Sequence, residues 1–435
     1  MAPPTSVKSL MRRCRMPRRA VIVGLGPDGE GRLITLEAAE KLSRAQAVFR
    51  LAKLEGIVRK FCSQETDVVH ISHAAAALLQ SVAKEIEESR YDDVAIAVSG
   101  DPTFASLGSR LCRFLVERGL EVDITPGISS LQLAAARLRL DWANSLVLDM
   151  HGKGCEEALR RAVTMAELGY LVFTTLSPRI KAEDVAGFLS EAGFPSAELL
   201  VCENLGTGRE RILKSHARAL ADMQTHHNAI LMIKPLDSRL VYGVRDQEIY
   251  TPKEVPGPTK EEIRAITACK ARLKPGHRVI EIGCGTGALT VELALRVLPD
   301  GLVCAIDYRK EAIEATLANA RRYGVAHAVK TIQGKAPEVF SMLNERFDVA
   351  VIGGTENLKG VIMELDRKLL AGNRRIVVNA VSMSSLATSY GVLTALGYEV
   401  EVVCSFIART RRLKQHLVFS SLNPVFTVVG EKVGA

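Results

Sequence analysis

Residues 279–287 read VIEIGCGTG, and the reading of that stretch decides the fold. Val279, Ile280 and Ile282 read as a buried parallel strand that runs straight into Gly283, Gly285 and Gly287. Glycines at alternate positions let the backbone approach a ligand where a Cβ would collide. Residues 288–298 contain few polar side chains and good helix formers, so a helix is predicted there, its free N–H groups facing the loop. Strand, glycine loop and helix together are how a doubly wound α/β domain grips a nucleoside-bearing cofactor. Asp307 ends the next apolar run, GLVCAID, about twenty residues on, where an acid can hold ribose hydroxyls.

The pattern admits two cofactors. Gly283, Gly285 and Ala288 satisfy the dinucleotide fingerprint, which keeps NAD in view. Two features favour S-adenosylmethionine. Glu281 places an acid at the strand end, where it can meet the cationic methionine portion. The G-x-G-x-G run also resembles the motif of class I methyltransferases. A purely structural strand–helix turn would account for one glycine, not for the set.

Composition sets wider bounds. A chain of 435 residues suits two or three domains, and 47% hydrophobic residues suffice for their cores. No uncharged apolar run reaches the length of a membrane span. The nine cysteines contain no C-x-x-C pair, so reduced thiols in a cytosolic (cytoplasmic) setting are expected. The nine histidines offer no metal-ligand spacing, and no metal is expected. A net charge of +8 suits any polyanionic substrate, nucleic acid included. Residues 1–19 carry six Lys and Arg and no acid. That fits a transit peptide or a basic, disordered extension, and the extension is the expectation here.

From residue 20 the chain alternates strands with glycine-bearing turns. A strand at 20–24 feeds GLGPDG at 24–29, where Pro27 and Asp28 make a turn rather than a helix start. A helical pattern spans 36–47. Strands at 94–98 and 122–125 end in SGDPTF at 99–104 and PGISS at 126–130, and 131–138 returns to helix. Strands ending in small polar loops surround one crevice at their carboxyl edge.

These loops, with DMHGK at 149–153 and CENLG at 202–206, closely resemble the tetrapyrrole methylase family. Within it they look like the branch that methylates a precorrin ring carbon during cobalamin synthesis. The resemblance implies two α/β lobes, near 20–140 and 144–235, with S-adenosylmethionine between them. It implies cofactor contacts from Pro27, Asp101, Phe104, Ser129 and Ser130. The chain departs from that branch at FRLAK, 49–53, where a Gly-Gly-Arg-like turn is usual, and at TTLSP, 174–178.

The stretch 241–258 reads as an extended, polar join, because Pro252, Pro256, Gly257 and Pro258 forbid regular helix. A helix is predicted to start near Thr259, capped by it, with Glu261 and Glu262 in the first turn. Its basic residues, Lys260, Arg264 and Lys270, followed by Arg272 and Lys274, form either a solvated face or a substrate-facing patch. Strands are then expected at 279–282, 302–306, 328–332, 349–352, 375–378, 399–404 and 416–419. This is a seven-strand, Rossmann-like order whose last pair is commonly antiparallel.

PGPTKEE at 256–262, the glycine loop, IGG at 352–354 and VNA at 378–380 resemble the partner enzyme of the first domain, which methylates a second bridge carbon and removes a carboxylate. The fused pair resembles the precorrin-6Y C5,15-methyltransferase (decarboxylating) family. The expected order is an extension at 1–19, a tetrapyrrole methylase domain at 20–240, a linker at 241–258, and a class I methyltransferase domain at 259–435. The resemblance implies one S-adenosylmethionine per domain. Thr259, Glu281, Gly283, Cys284, Gly285, Thr286, Gly287 and Asp307 would hold the second, with Ala336 near the adenine. It further implies a precorrin substrate, conversion to precorrin-8, and a homo-oligomer, without nucleic acid or membrane. Two departures stand in this half: Lys335 replaces the family's usual Asp, and GGTEN at 353–357 is bulkier than the usual turn. The alternatives are an RNA methyltransferase, set back by 5% aromatics, and an S-adenosylmethionine-binding protein with one decayed site.

Overall fold

The computed structural model describes residues 19–432 apart from 72–78, 81, 83, 85, 87–90 and 152–153. The basic extension, but for Arg19, and the last two positions of the DMHGK motif lie outside the described residues. Among the described residues no helix is long and apolar enough to cross a membrane.

The first lobe is a parallel sheet in the order β3-β2-β4-β1-β5. It comprises β1 (Arg19–Gly24), β2 (Ala47–Arg50), β3 (Asp67–His70), β4 (Asp93–Val98) and β5 (Glu121–Thr125). The helix expected over 36–47 ends at Arg44. Ala47 instead opens β2, because Ala47, Val48 and Phe49 are fully buried between β3 and β4 and serve the core better as strand.

The second lobe uses β6 (Leu146–Asp149), β7 (Val172–Thr175), β8 (Glu198–Glu203), β9 (Arg211–His216) and β10 (Ala229–Ile233). Their order is β6-β7-β10-β8-β9. Strands β6 and β7 are parallel, and β10 runs antiparallel to β7 and β8.

The remaining strands are β11 (Arg278–Ile282), β12 (Leu302–Asp307), β13 (Val329–Gln333), β14 (Phe347–Ile352), β15 (Leu370–Ala380), β16 (Glu399–Ser405), β17 (Ala408–Leu413), β18 (His416–Ser421) and β19 (Val425–Lys432). Seven of them form one sheet, β13-β12-β11-β14-β15-β19-β16, in which β19 is antiparallel to both neighbours. The seventh strand is therefore not 416–419, as the pattern suggested. That stretch pairs with β17 in a separate ribbon. The reason is burial: Val428 and Val429 of β19 fill the sheet interior, whereas Leu417 and Phe419 of β18 are exposed.

The join is less of a tether than its prolines imply. Val244 and Ile249 sink into the core of the third sheet. Arg264, counted above with a basic face, is fully buried and pairs with Asp246 at 2.6 Å. It also donates to the carbonyls of Val244 and Thr259. Lys270 and Arg272 pair with Glu401 and Glu431. Thr259 does not cap the next helix, Glu261–Lys270, whose N-cap is Lys260 with no side-chain hydrogen bond. A buried cation held by three oxygens fixes the path of the chain into that helix.

The helix Cys155–Glu167 of the second lobe meets the third sheet's surroundings. Arg161 forks onto Asp300 at 2.7 and 2.6 Å, and Thr164 Oγ1 lies 2.8 Å from His327 Nε2.

Candidate functional site

Two clefts lie at the carboxyl ends of the parallel strands. The first, of about 600 Å³, opens between the two lobes. Its floor is three crossing turns. Gly26 and Gly100 form an isolated bridge, and a Cβ on Gly24 would stand 2.7 Å from the Gly127 nitrogen. Asp101 ties two of these turns together, accepting from the Thr103 amide at 2.7 Å and the Gly127 amide at 3.0 Å. Pro27, Asp101, Phe104 and Ser130 line the cleft. Ser129 does not; it caps helix Ser130–Leu138 through a reciprocal box with Gln132 and so aims that helix's start at the cleft.

Sequence reasoning gave no role to several other residues on these walls. Arg50, Lys53, His151, Thr175, His226 and His227 all line the cleft. Arg50 is buried, and its Nη2 stands 2.8 Å from Glu55. The departure at 49–53 thus supplies two cations, which only the lobe–lobe contact reveals as cleft residues.

The second cleft, of about 500 Å³, lies over the glycine loop. Thr259, Glu281, Gly283, Cys284, Gly285, Thr286, Asp307 and Ala336 line it. Gly287 does not: at φ +75° its Cβ would stand 2.6 Å from Thr316 Cα, so this glycine serves helix packing. Gly283, at φ +77°, faces the Gly354 carbonyl, which a Cβ would approach to 2.4 Å. Gly285 is different. It has φ +57°, nothing lies within 4 Å of where its Cβ would be, and its amide donates to Asp307 at 3.0 Å. That is open space for a ligand against bare backbone.

Asn319 links this loop to the join, donating to the carbonyls of Thr286 at 2.8 Å and Tyr250 at 2.9 Å. Asp307 is gripped by Arg309, with contacts of 3.1 and 3.2 Å. Lys335 sits at the rim, 3.5 Å from Glu356 and 5.6 Å from the centre of the Tyr308 ring. The two departures therefore meet each other in an exposed ion pair and leave the floor open. Glu281 is buried and accepts from Thr290 Oγ1 at 2.5 Å. Burial pushes its carboxyl up to about 8; the Thr290 hydrogen bond opposes that, and the nearby Asp307 charge adds to it.

Residues 19–221 match the tetrapyrrole (corrin/porphyrin) methylases, and residues 257–431 match the precorrin methyltransferase domain. A probable cobalt-precorrin-6B C(15)-methyltransferase (decarboxylating) of Sulfurisphaera tokodaii is 37% identical over 190 residues, 44% of this chain and 97% of its own length. The chain belongs to the precorrin methyltransferases. A relative of the same name from Methanosarcina acetivorans is 36% identical over 178 residues, 40% of this chain and 94% of its own length. The crystal structure of precorrin-6Y C5,15-methyltransferase from Geobacter metallireducens is 31% identical, with a TM-score of 0.41, covering 44% of this chain and 97% of that one.

Precorrin methyltransferases use S-adenosylmethionine, and the open backbone at Gly285 beside Asp307 fits a nucleoside carrying a cationic tail. A cationic ligand bound beside Glu281 would favour its ionised form, so its binding near neutral pH would expel a proton from this carboxyl. Affinity at the second cleft then rises as pH climbs towards about 8 and levels off above it. Calorimetry in buffers of different ionisation enthalpy reads the released proton directly. The release is expected in the parent chain and absent in Glu281→Gln.

Proposed function

We propose that this chain takes precorrin-6Y to precorrin-8, methylating C5 and C15 and decarboxylating the C12 acetate. The observation that carries the reading is the presence of two separate clefts, each built on its own glycine turns at the ends of parallel strands. The working units are 20–240, which methylates C5, and 259–435, which methylates C15 and decarboxylates, joined by 241–258. The relatives' C(15) and decarboxylating activities support that division. Each unit takes one S-adenosylmethionine, at Pro27, Asp101, Phe104 and Ser130 in the first and at Thr259, Glu281, Gly283, Cys284, Gly285, Thr286, Asp307 and Ala336 in the second.

The bound methyl donor supplies a sulfonium methyl that is already activated. The residues of the chain orient and exclude water. In the first cleft, Arg50 and Lys53 offer cations to a substrate rich in carboxylates. In the second, Asp307 and the Gly285 amide fix the nucleoside end, and the buried Glu281 faces the cationic end. Decarboxylation needs an electron sink, which a protonated pyrrolenine of the substrate itself provides in a dry cleft.

Mass spectrometry of the product tests this. The parent chain gives a product with two methyl groups gained and one carbon dioxide lost. Gly285→Val, which fills the second cradle, gives one methyl gained and no carbon dioxide lost. Loss of carbon dioxide by that variant at the parental rate contradicts the assignment.

The chain also works as a homo-oligomer in this reading. The β17–β18 ribbon supports it, because Leu417 and Phe419 of β18 are 68% and 79% exposed, with Phe406 78% exposed just before β17. Sedimentation velocity gives an assembly for the parent and a smaller species for Phe419→Ser; a monomeric parent would refute it.

A further inference from the structure

The first cleft holds a group that neither cofactor binding nor charge recognition uses. Strands β6 and β7 are parallel, and their last residues, Asp149 and Thr175, stand side by side in register. Asp149 Oδ1 accepts from Thr175 Oγ1 at 2.5 Å, from the His151 amide at 3.1 Å, and lies 2.7 Å from His151 Nδ1. Thr175 Oγ1 in turn lies 3.1 Å from Nδ1 and accepts the Met150 amide at 3.2 Å. Burial alone would raise the Asp149 carboxyl, but the contacts from Thr175 and His151 outweigh it and hold the group below the usual range. An ionised carboxylate on Nδ1 fixes the tautomer with the proton there. Nε2 is then the basic nitrogen, and it has no hydrogen-bond partner among the described residues.

A bridge carbon that carries one hydrogen and gains a methyl must shed that hydrogen for conjugation to return. The carbon's π pair forms the new C–C bond as the C–S bond breaks, and the C–S pair stays on sulfur. The macrocycle is left with one positive charge. Loss of the bridge proton to a base returns the C–H pair to the ring and neutralises it. Given methylation in this cleft, as proposed above, we infer that His151 Nε2 accepts that proton, with Asp149 stabilising the imidazolium and Thr175 setting the carboxylate.

The other titratable groups on these walls fit the role less well. His226 accepts the Asn228 amide on Nδ1 at 3.0 Å, which leaves its other nitrogen protonated, and His227 stacks on it at 4.6 Å without a carboxylate. Asp101 is spent on the Thr103 and Gly127 amides. Burial pushes the Cys202 thiol up to about 11. Arg50 and Lys53 are donors only.

The test uses the full chain. His151→Asn should slow the first-cleft methylation by about 10²-fold or more. S-adenosylmethionine affinity, measured by calorimetry, should be retained, as should the second methylation and carbon dioxide loss. Added imidazole should restore methylation to His151→Ala, which a merely structural histidine would not allow. Ring ¹⁵N shifts should show the Nδ1–H tautomer of His151 in the parent and lose that preference in Asp149→Asn. Methylation of both bridge carbons by His151→Asn at the parental rate overturns the inference. Weakened donor binding without imidazole rescue also overturns it, by making His151 structural. A parent chain that methylates no precorrin refutes the proposed function itself, and this inference falls with it.

Discussion

Backbone lying directly on backbone at the carboxyl ends of parallel strands is the contact on which both clefts depend. In the first, a Cβ on Gly127 would stand 2.5 Å from the Gly100 carbonyl, and one on Gly24 would meet that same carbonyl at 2.8 Å. In the second, Gly283 holds the same relation to Gly354. Only glycine lets these turns close, and closing them leaves bare backbone rather than side chains beside the cavity. The two units share this solution although their sheets differ in order and direction. Side chains then adapt each cradle: Asp101 pins turns in one, while Asp307 and Asn319 fix the loop in the other.

Several of the chain's cations are committed to carboxylates rather than left free. Arg264, Lys270, Arg272 and Arg409 are committed to Asp246, Glu401, Glu431 and Glu262. Exposed pairs of this kind contribute little to stability, but the buried Arg264 organises the join, because an unpaired cation there would be costly. The units also touch through buried polar groups. Thr164 Oγ1 lies 2.8 Å from His327 Nε2, and Glu167 packs against Gly324, where burial pushes its carboxyl up to about 8. Burial likewise pulls His327 down to about 3, with Arg160 acting in the same sense. Burial thus favours the neutral form of each, which lessens the charge buried at the contact.

Much of this was legible in the residues. The turns at 24–29, 99–104, 126–130 and 283–287 announced themselves because glycine, proline and small polar residues have few other reasons to follow an apolar strand. What failed was local ambiguity resolved by distant contacts. Ala47–Arg50 reads as the tail of a helix until its neighbours β3 and β4 are in place. The stretch at 416–419 is as apolar as a sheet strand, yet Val425–Lys432 takes the interior position. Arg264 reads in sequence as part of a solvated face or a substrate-facing patch, and it is the largest fully buried side chain among the described residues. His151 was visible within a motif, but its dyad required Asp149 and Thr175 to meet across two strands. Gly287 shows the converse error, a motif glycine whose reason is a helix contact.

In the function proposed above, each unit holds its own methyl donor. The most direct measurement is the number of S-adenosylhomocysteine molecules bound per chain at saturation, counted by equilibrium dialysis of the intact protein. Two per chain, falling to one in Gly285→Val, is the predicted result. A single site in the parent chain, unaffected by that substitution, would contradict the claim.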